Sequence, residues 1–389
     1  MTIKPILISG GGLASLLLAQ SLRVSKIPFL VFERDSSMSS RAQGYRLRLS
    51  AEGLSAIESV LDVPLWQKFY DACGKTDTVG LSVYNAVTGE HMTSSGPDKL
   101  TSREGKVFGV ARGDMRKLFA EGCEDFMQWG KNVKGYELTD DGVKAVFADG
   151  TRSVEGSMLV GGEGIYSHVA RQLSGGKIKT YDLGARGIHG QAPTTAFKAL
   201  GEGVFRLLDT SRPEGSVSVI TNVRAKDMDD PNAMFGWTLS GQPGIIRPPN
   251  DDFTIVGRQA ADLARDLTKN WHTRFKPLFE QMDVAEAAFW KITCSTPTGV
   301  PDWPNEPRVT IIGDAAHSMT PAGGNGANTA VQDSALLGRL LREAGGYKDG
   351  VSAEYEKEMR EYASAAVRHS YNHAVSVFGV KIDENSKIV

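Results

Sequence analysis

The first forty positions carry two kinds of apolar pattern. Pro5-Ile6-Leu7-Ile8 is a continuous apolar run, as a strand buried on both faces requires. Gly10-Gly11-Gly12 interrupts it, and an amphipathic stretch follows through Leu16, Leu17, Ala19, Gln20, Leu22 and Arg23. Pro28-Phe29-Leu30-Val31-Phe32 is a second apolar run, ending in Glu33-Arg34. The pattern predicts strand, helix and strand within about thirty residues, a βαβ unit with a glycine loop at its first turn.

Further along, the period becomes two. Residues 79–92 predict a hairpin turning at Val87-Thr88-Gly89-Glu90, and 126–155 predict short strands punctuated by Asp140-Asp141-Gly142 and Asp149-Gly150. Strand patterns recur over 185–256, at Val204–Leu208, Val217–Ile220 and Met234–Leu239. Helical periodicity returns near 259–282 and 326–344. A long helix is expected from Ser352 to Val377, with Tyr355, Met359, Tyr362, Ala366 and Val367 on one face. No repeat or low-complexity segment breaks this order.

Composition narrows the class. The 389 residues give room for two domains, and 41% hydrophobic with 23% charged residues suits a soluble folded chain. A net charge of −2 argues against nucleic acid or an anionic membrane as partner. Cys73, Cys123 and Cys294 are odd in number and far apart, so neither a disulfide framework nor a zinc pattern is expected, and a cytoplasmic, reducing setting fits. Pro5 to Leu22 is apolar enough to suggest a targeting segment, but its glycines and polar residues favour strand–turn–helix. The terminal Ser-Lys-Ile-Val is not a peroxisomal address.

The glycine loop carries the first candidate chemistry. Gly10 permits a tight turn, and Gly12 lets the backbone approach a pyrophosphate. Leu13 and Ala14 open a helix whose N–H groups and dipole favour phosphate oxygens. Glu33 is placed to accept from an adenosine ribose, with Arg34 beside it. Ser15 replaces the third glycine of the usual fingerprint, which asks for looser helix–strand packing. This unit implies a dinucleotide without deciding between FAD and NAD.

A second segment decides it. Arg308–Ile312 is an apolar strand leading into Gly313-Asp314-Ala315-Ala316-His317-Ser318-Met319-Thr320-Pro321, then Ala322-Gly323-Gly324-Asn325-Gly326-Ala327-Asn328 and on to Asp333. It resembles the second flavin signature of the p-hydroxybenzoate-hydroxylase-like (group A) FAD-dependent monooxygenases. The resemblance implies that Asp314, after Gly313, hydrogen-bonds the ribityl chain. It also implies that the loop with Pro321, Gly324 and Gly326 lies against the isoalloxazine, and that the helix opening at Gly326, Ala327 and Asn328 aims its N-terminus at the ring. Val110–Leu118 resembles the family's Arg-x-Asp-Leu segment, with Arg112 approaching the flavin or its phosphates. Met158–Ser167 resembles its Asp-Gly motif, with Glu163 in place of the aspartate. Arg41, Arg46 and Arg48 lie where the family often has arginines near the flavin, although surface solvation explains them equally. Structural support for the loop is the expected role of His317.

The resemblance follows most of the chain but is specific only at these flavin segments. It implies an α/β fold, a Rossmann-like FAD-binding domain (1–78, 104–178 and 297–350) with an inserted β-rich substrate domain (79–103 and 179–296) and a C-terminal helix (351–389). The extra C-terminal domain that some members of the family carry is not expected here. The implied function is hydroxylation or epoxidation of a small aromatic or alkene-bearing molecule through a flavin 4a-hydroperoxide. Non-covalent FAD would be the cofactor, and NADPH or NADH and dioxygen the co-substrates. A flavin-dependent dehydrogenase or oxidase, or a non-catalytic FAD-binding protein, are the alternatives. His189, Arg206, Asn222, Phe235 and Trp237 are candidate cavity residues, because their strands should face the flavin. His369 and His373 fall four apart on the last helix without a third ligand, so no metal is expected. Trp290-Lys291-Ile292 lacks the second tryptophan and the proline of a halogenase motif.

Overall fold

A computed structural model describes residues 4–38, 46–77, 80–94, 101–230, 232–248 and 256–389. Arg41 lies outside them. The apolar run near the N-terminus forms the strand Ile6–Ser9, buried throughout, at the centre of a five-stranded parallel sheet. Its neighbours are Phe29–Glu33 on one side and Met158–Gly161 on the other, with Met127–Trp129 and Val309–Ile311 at the edges. Strands far apart in sequence thus deliver the glycine loop, Glu163 and Asp314 to the same sheet end, where α/β folds bind ligands.

The helix Leu13–Val24 follows the glycine loop and packs against the helix Gly326–Ala344, where Ser334 Oγ donates to Ala14 O at 2.7 Å. Ser15, in the third glycine position, does not loosen this packing. The glycine has moved to the facing strand end: a Cβ on Gly162 would stand 2.2 Å from Ser15 Oγ.

The strand patterns of the middle region form a mixed seven-stranded sheet. Thr180–Pro193 lies between Ala288–Ser295 and Met234–Gly241, and Val217–Val223, Gly203–Asp209, Leu81–Asn85 and His91–Ser94 continue outward. One face packs on the helices Arg258–Thr268 and Pro277–Glu280 through Trp271, Phe275, Leu278 and Phe279. The other face looks toward the parallel-sheet domain. The helix Val351–Phe378 spans both, with Tyr355, Met359, Ala363 and Val367 buried, while Ala366 is only half-buried. Among the described residues no helix is long and apolar enough to cross a membrane. All three cysteines are free and buried, and desolvation pushes each thiol up to about 12.

Strand alternation corrects two of the expected cavity residues. Along Met234–Gly241, Phe235, Trp237 and Leu239 are buried, while Met234, Gly236 and Thr238 are half-buried. Phe235 and Trp237 therefore belong to the outer core, where Trp237 Nε1 donates to Leu278 O at 3.0 Å. The wide indole finds room by lying flat on Gly190 of the adjacent strand. A methyl at Gly190 would sit 2.2 Å from Trp237 Cζ2. Gly190→Ala should lower the stability of the chain by about 1–3 kcal/mol, read from the urea midpoint. An unchanged midpoint would show that the indole can leave this position without cost.

Candidate functional site

The turn after the first strand is built to keep a helix N-terminus open. Gly10 has φ +89°, and a Cβ there would collide with Gly162 O at 2.5 Å. Gly12 caps the helix with no side-chain bond, and a Cβ on it would find only Gly162 O, at 4.0 Å. The N–H groups of the first helical turn are thus presented beside open space.

Glu33 braces this loop from the next strand. Its Oε2 accepts from Gly11 N at 2.7 Å and Arg116 Nη2 at 3.3 Å, and its Oε1 accepts from Asp35 N at 2.9 Å. A carboxylate has about four lone-pair sites, so a ribose hydroxyl would find about one unused. Arg116 also donates from Nε to Gly11 O at 2.8 Å and is itself buried. The sequence reading passed over this arginine, although its place one helical turn after Arg112 was a usable signal. Arg34, by contrast, is exposed, while Leu13 and Ala14 are buried.

Across the sheet end, Gly313 with φ +63° turns the chain into the short helix Asp314–His317. The Asp314 carboxylate has no hydrogen-bond partner among the described residues and is open to solvent, yet protein surrounds it at depth. It sits on the floor of a cleft. Burial raises its pKa, while His317 and Arg112 act in the opposite sense, which places Arg112 at the head of its helix within electrostatic reach.

His317 faces the other way, into the core. Its Nε2 meets Asp333 Oδ2 at 2.6 Å, and both side chains are fully buried. The same Oδ2 accepts from Gly313 N at 2.6 Å, and Asp333 Oδ1 accepts from Tyr362 of the C-terminal helix at 2.6 Å. Asp333 ended the flavin signature and Tyr362 lay on the expected helix face, but no local pattern pairs residues this far apart in sequence.

The loop beyond carries Gly323 and Gly324 at φ +84° and +67°, and Pro321 is exposed. The helix from Gly326 has no side-chain cap, so the N–H groups of Gly326, Ala327 and Asn328 lead its dipole. The Asn328 side chain is not available to a ligand as expected. Its amide donates to Arg48 O at 3.0 Å and Gly324 O at 2.8 Å and accepts from Ser50 N at 2.8 Å, clamping the loop to the strand Arg46–Leu49. Arg48 lies beside the loop, donating to Gly323 O at 3.2 Å. Glu163 is half-buried behind the glycine loop. Its carboxylate accepts from Ser167 Oγ at 2.8 Å, and burial raises its pKa despite that bond.

Facing this cleft, the seven-stranded sheet presents one row across four strands: His189, Thr238, Ile220 and Arg206 are consecutive cross-strand neighbours. His189 bonds Thr238 Oγ1 at 2.9 Å and stacks on Trp290 at 5.0 Å, and burial pushes it down to about 3, so it is neutral. Asn222 is two residues from Ile220 on the same face, but its Oδ1 accepts from Thr76. A cavity of about 340 Å³ opens beside this row, lined by Arg46, Asp114, Gln191, Arg224, Met234 and Gly236. Buried Arg224 Nη1 has no hydrogen-bond partner there. The cavity takes in Ala111, next to Arg112.

These features fit the parts of one cofactor: an open helix N-terminus for a pyrophosphate, a partnerless carboxylate for a polyol, and a glycine loop before a second uncapped helix for a flat ring. A family model described as FAD binding domain matches residues 4–370. The chain belongs to this family. Among curated relatives, it is 30% identical to the dual O-methyltransferase/FAD-dependent monooxygenase CTB3 of Cercospora beticola, over 97% of this chain and 47% of that protein. It is 29% identical to the FAD-dependent monooxygenase thnD of Trichoderma harzianum, over 94% of this chain and 91% of that one. The chain thus spans about half the length of the first of these relatives. The fold is that of Klebsiella pneumoniae HpxO solved with FAD and uric acid, at TM-score 0.76 and 19% identity, covering 96% and 89% of the two chains.

The buried pair sets a pH test. Burial lowers the pKa of His317, but Asp333 and Asp314 outweigh it and the net shift is upward. A raised folded pKa contributes stability that is fully present below the ordinary value of 6.5 and is lost as pH rises through the folded value. Urea midpoints from about pH 6 to 9 should therefore decline in the wild-type chain, with a shallower decline in His317→Gln. Parallel profiles would mean that His317 is not charged in the fold.

Proposed function

We propose that the chain is an FAD-dependent monooxygenase that takes electrons from NADPH or NADH and transfers one oxygen atom of dioxygen to a small organic molecule. The observation that carries this reading is Asp314, an exposed carboxylate without a hydrogen-bond partner among the described residues, following Gly313, which sits between Ala14 and Ala330 of two helices that lack a side-chain cap. The curated relatives named as FAD-dependent monooxygenases support it.

In this reading Asp314 holds the ribityl hydroxyls and Arg112 approaches a phosphate. The N–H groups after Gly12 bind pyrophosphate oxygens, and Glu33 offers its remaining lone pair to the ribose. The N-terminus at Gly326–Asn328 stabilises negative charge on the pyrimidine end of the ring. Bound and reduced, FAD supplies the activation of dioxygen; the chain supplies position and exclusion of water. The facing sheet closes the cleft over the substrate. Neutral His189, fixed by Thr238 and Trp290, orients a substrate oxygen by a hydrogen bond without adding charge.

Removing the Asp314 carboxylate costs a bond to each hydroxyl it holds. Asp314→Ala should weaken FAD retention by about tenfold to a hundredfold while the far-ultraviolet circular dichroism stays unchanged. Full flavin occupancy in the variant would take the ribityl contact from Asp314. The function itself is tested by reducing the FAD-loaded protein anaerobically with NADPH or NADH and then admitting oxygen. Bleaching of the flavin band, followed by reoxidation, is the expected result. Failure to take up FAD at all would overturn the assignment.

A further inference from the structure

The inner face of the seven-stranded sheet ends, at the edge strand Ala288–Ser295, in two nearly parallel rings. Trp290 leans from that strand over Gly187 of the adjacent one and stacks on His189, with centroids 5.0 Å apart and planes 14° from parallel. Gly187 is the seat of the indole: a Cβ there would stand 2.1 Å from Trp290 Cε2. Gly187 lies in a paired strand and is not one of the glycines at positive φ, so its missing side chain makes room for the indole and serves no turn.

The indole is not held by its N–H. Trp290 Nε1 is buried and has no hydrogen-bond partner among the described residues, where a buried tryptophan usually finds one. Shape alone keeps the ring in this place. His189 is fixed by Thr238 Oγ1 at 2.9 Å and is neutral, so the pair presents aromatic surface without charge.

The C-terminal helix closes this end of the sheet. Trp290, Tyr371 and Met319 pack against one buried cluster that contains Val367, Ala374 and Ala322. Met319 and Ala322 flank Thr320 and Pro321 in the loop assigned above to the flavin ring, so the tryptophan shares its packing with that loop. In the other direction the face is open. His189 and Thr238 are half-buried, and Ile220, next in the row, is 47% exposed. The row thus has an open floor at Ile220 and a closed end at Trp290.

We propose that Trp290, seated on Gly187 and fronted by His189, is a positioning residue that sets substrate length: it backs a wall that stops a flat, fused-ring substrate at the sheet edge. This inference rests on the flavin-site reading above. Where the last ring stops decides which carbon lies over the flavin, so the wall acts on the site of oxygen transfer as well as on size. Aromatic rings suit the role because they are rigid and meet another ring by face or edge at little entropic cost.

The test compares 2-naphthol with 2-anthrol, which adds one fused ring and no charge, on the FAD-loaded chain. Binding is followed through the visible flavin band, which responds to a molecule that reaches the flavin. Trp290→Ala should improve 2-anthrol relative to 2-naphthol by about tenfold, because the third ring enters the vacated place and buries apolar surface there. Trp290→Phe should keep most of the wild-type ratio. Gly187→Ala should drive the indole off its seat toward the floor and move the ratio the opposite way, against 2-anthrol. Should Trp290→Ala fail to fold, Trp290→Leu and Gly187→Ala decide between them, since the ratio must move in opposite senses. A merely structural tryptophan would weaken both probes by one factor and leave the ratio unchanged, which overturns the proposal. So does a wild-type flavin band that responds to neither probe. Flavin content before any probe is added is independent of these arms. A chain that takes up no FAD refutes the flavin site, and quenching of tryptophan emission in the unloaded chain then reads the same ratio for the wall.

Discussion

The buried carboxylate of Asp333 joins three pieces of chain at one point. It accepts from Gly313 N at the end of the edge strand, pairs with His317 one turn later, and accepts from Tyr362 on the C-terminal helix. All of this is deep in the core, where a charge left unpaired would cost several kcal/mol. Gly313 reaches its positive φ without a Cβ penalty, and that carboxylate satisfies its buried N–H. The direction of Asp314 is set by the same turn. One interior ion pair therefore decides where the exposed carboxylate of the cleft points, and the last helix of the chain is tied to that decision.

The two sides of the sheet end follow one plan. At Gly11, as at Gly313, a carboxylate from a neighbouring element captures the backbone N–H of a glycine turn: Glu33 on one side, Asp333 on the other. One of these acids, Glu33, is the residue that the sequence offers to an adenosine ribose. What remains for a ligand, beside the Asp314 carboxylate, is chiefly backbone, the N–H groups of two helices with no side-chain cap. This suits a cofactor that is anionic when reduced, because oriented dipoles stabilise charge without bringing a counter-ion that would need its own solvation.

Much of this was readable from the sequence because it is local. The strand–loop–helix of residues 6–24, the turn at Gly313 and the positions of the middle strands all follow from period and turn chemistry within a few residues. What could not be read was pairing across the chain. Asn328 looked like a flavin contact by its place at a helix start, yet its amide is used up on Arg48, Gly324 and Ser50. Trp237 and Phe235 are expected as cavity residues because their strand should face the flavin. Alternation fixes that they face away from Thr238, but only the second layer of helices fixes which face is the core. The glycine missing at Ser15 was seen as a defect in one helix, whereas its compensation at Gly162 lies on a different strand.

The same reasoning separates the two kinds of polar residue in the cleft. Asn328 and Asp333 are satisfied by protein groups, and Glu33 is so but for about one lone pair, so most of their energetic role is complete before any ligand arrives. Asp314, Arg206 and Arg224 Nη1 are unsatisfied by protein among the described residues. Such groups lower the stability of the chain, since each could have been replaced by an apolar residue with no loss to the fold. Asp314 stands beside the glycine turn and Arg224 lines the cavity, so each keeps bonding capacity for what enters there, and their signs name the partner: hydroxyls at the acid, an oxyanion at the guanidinium.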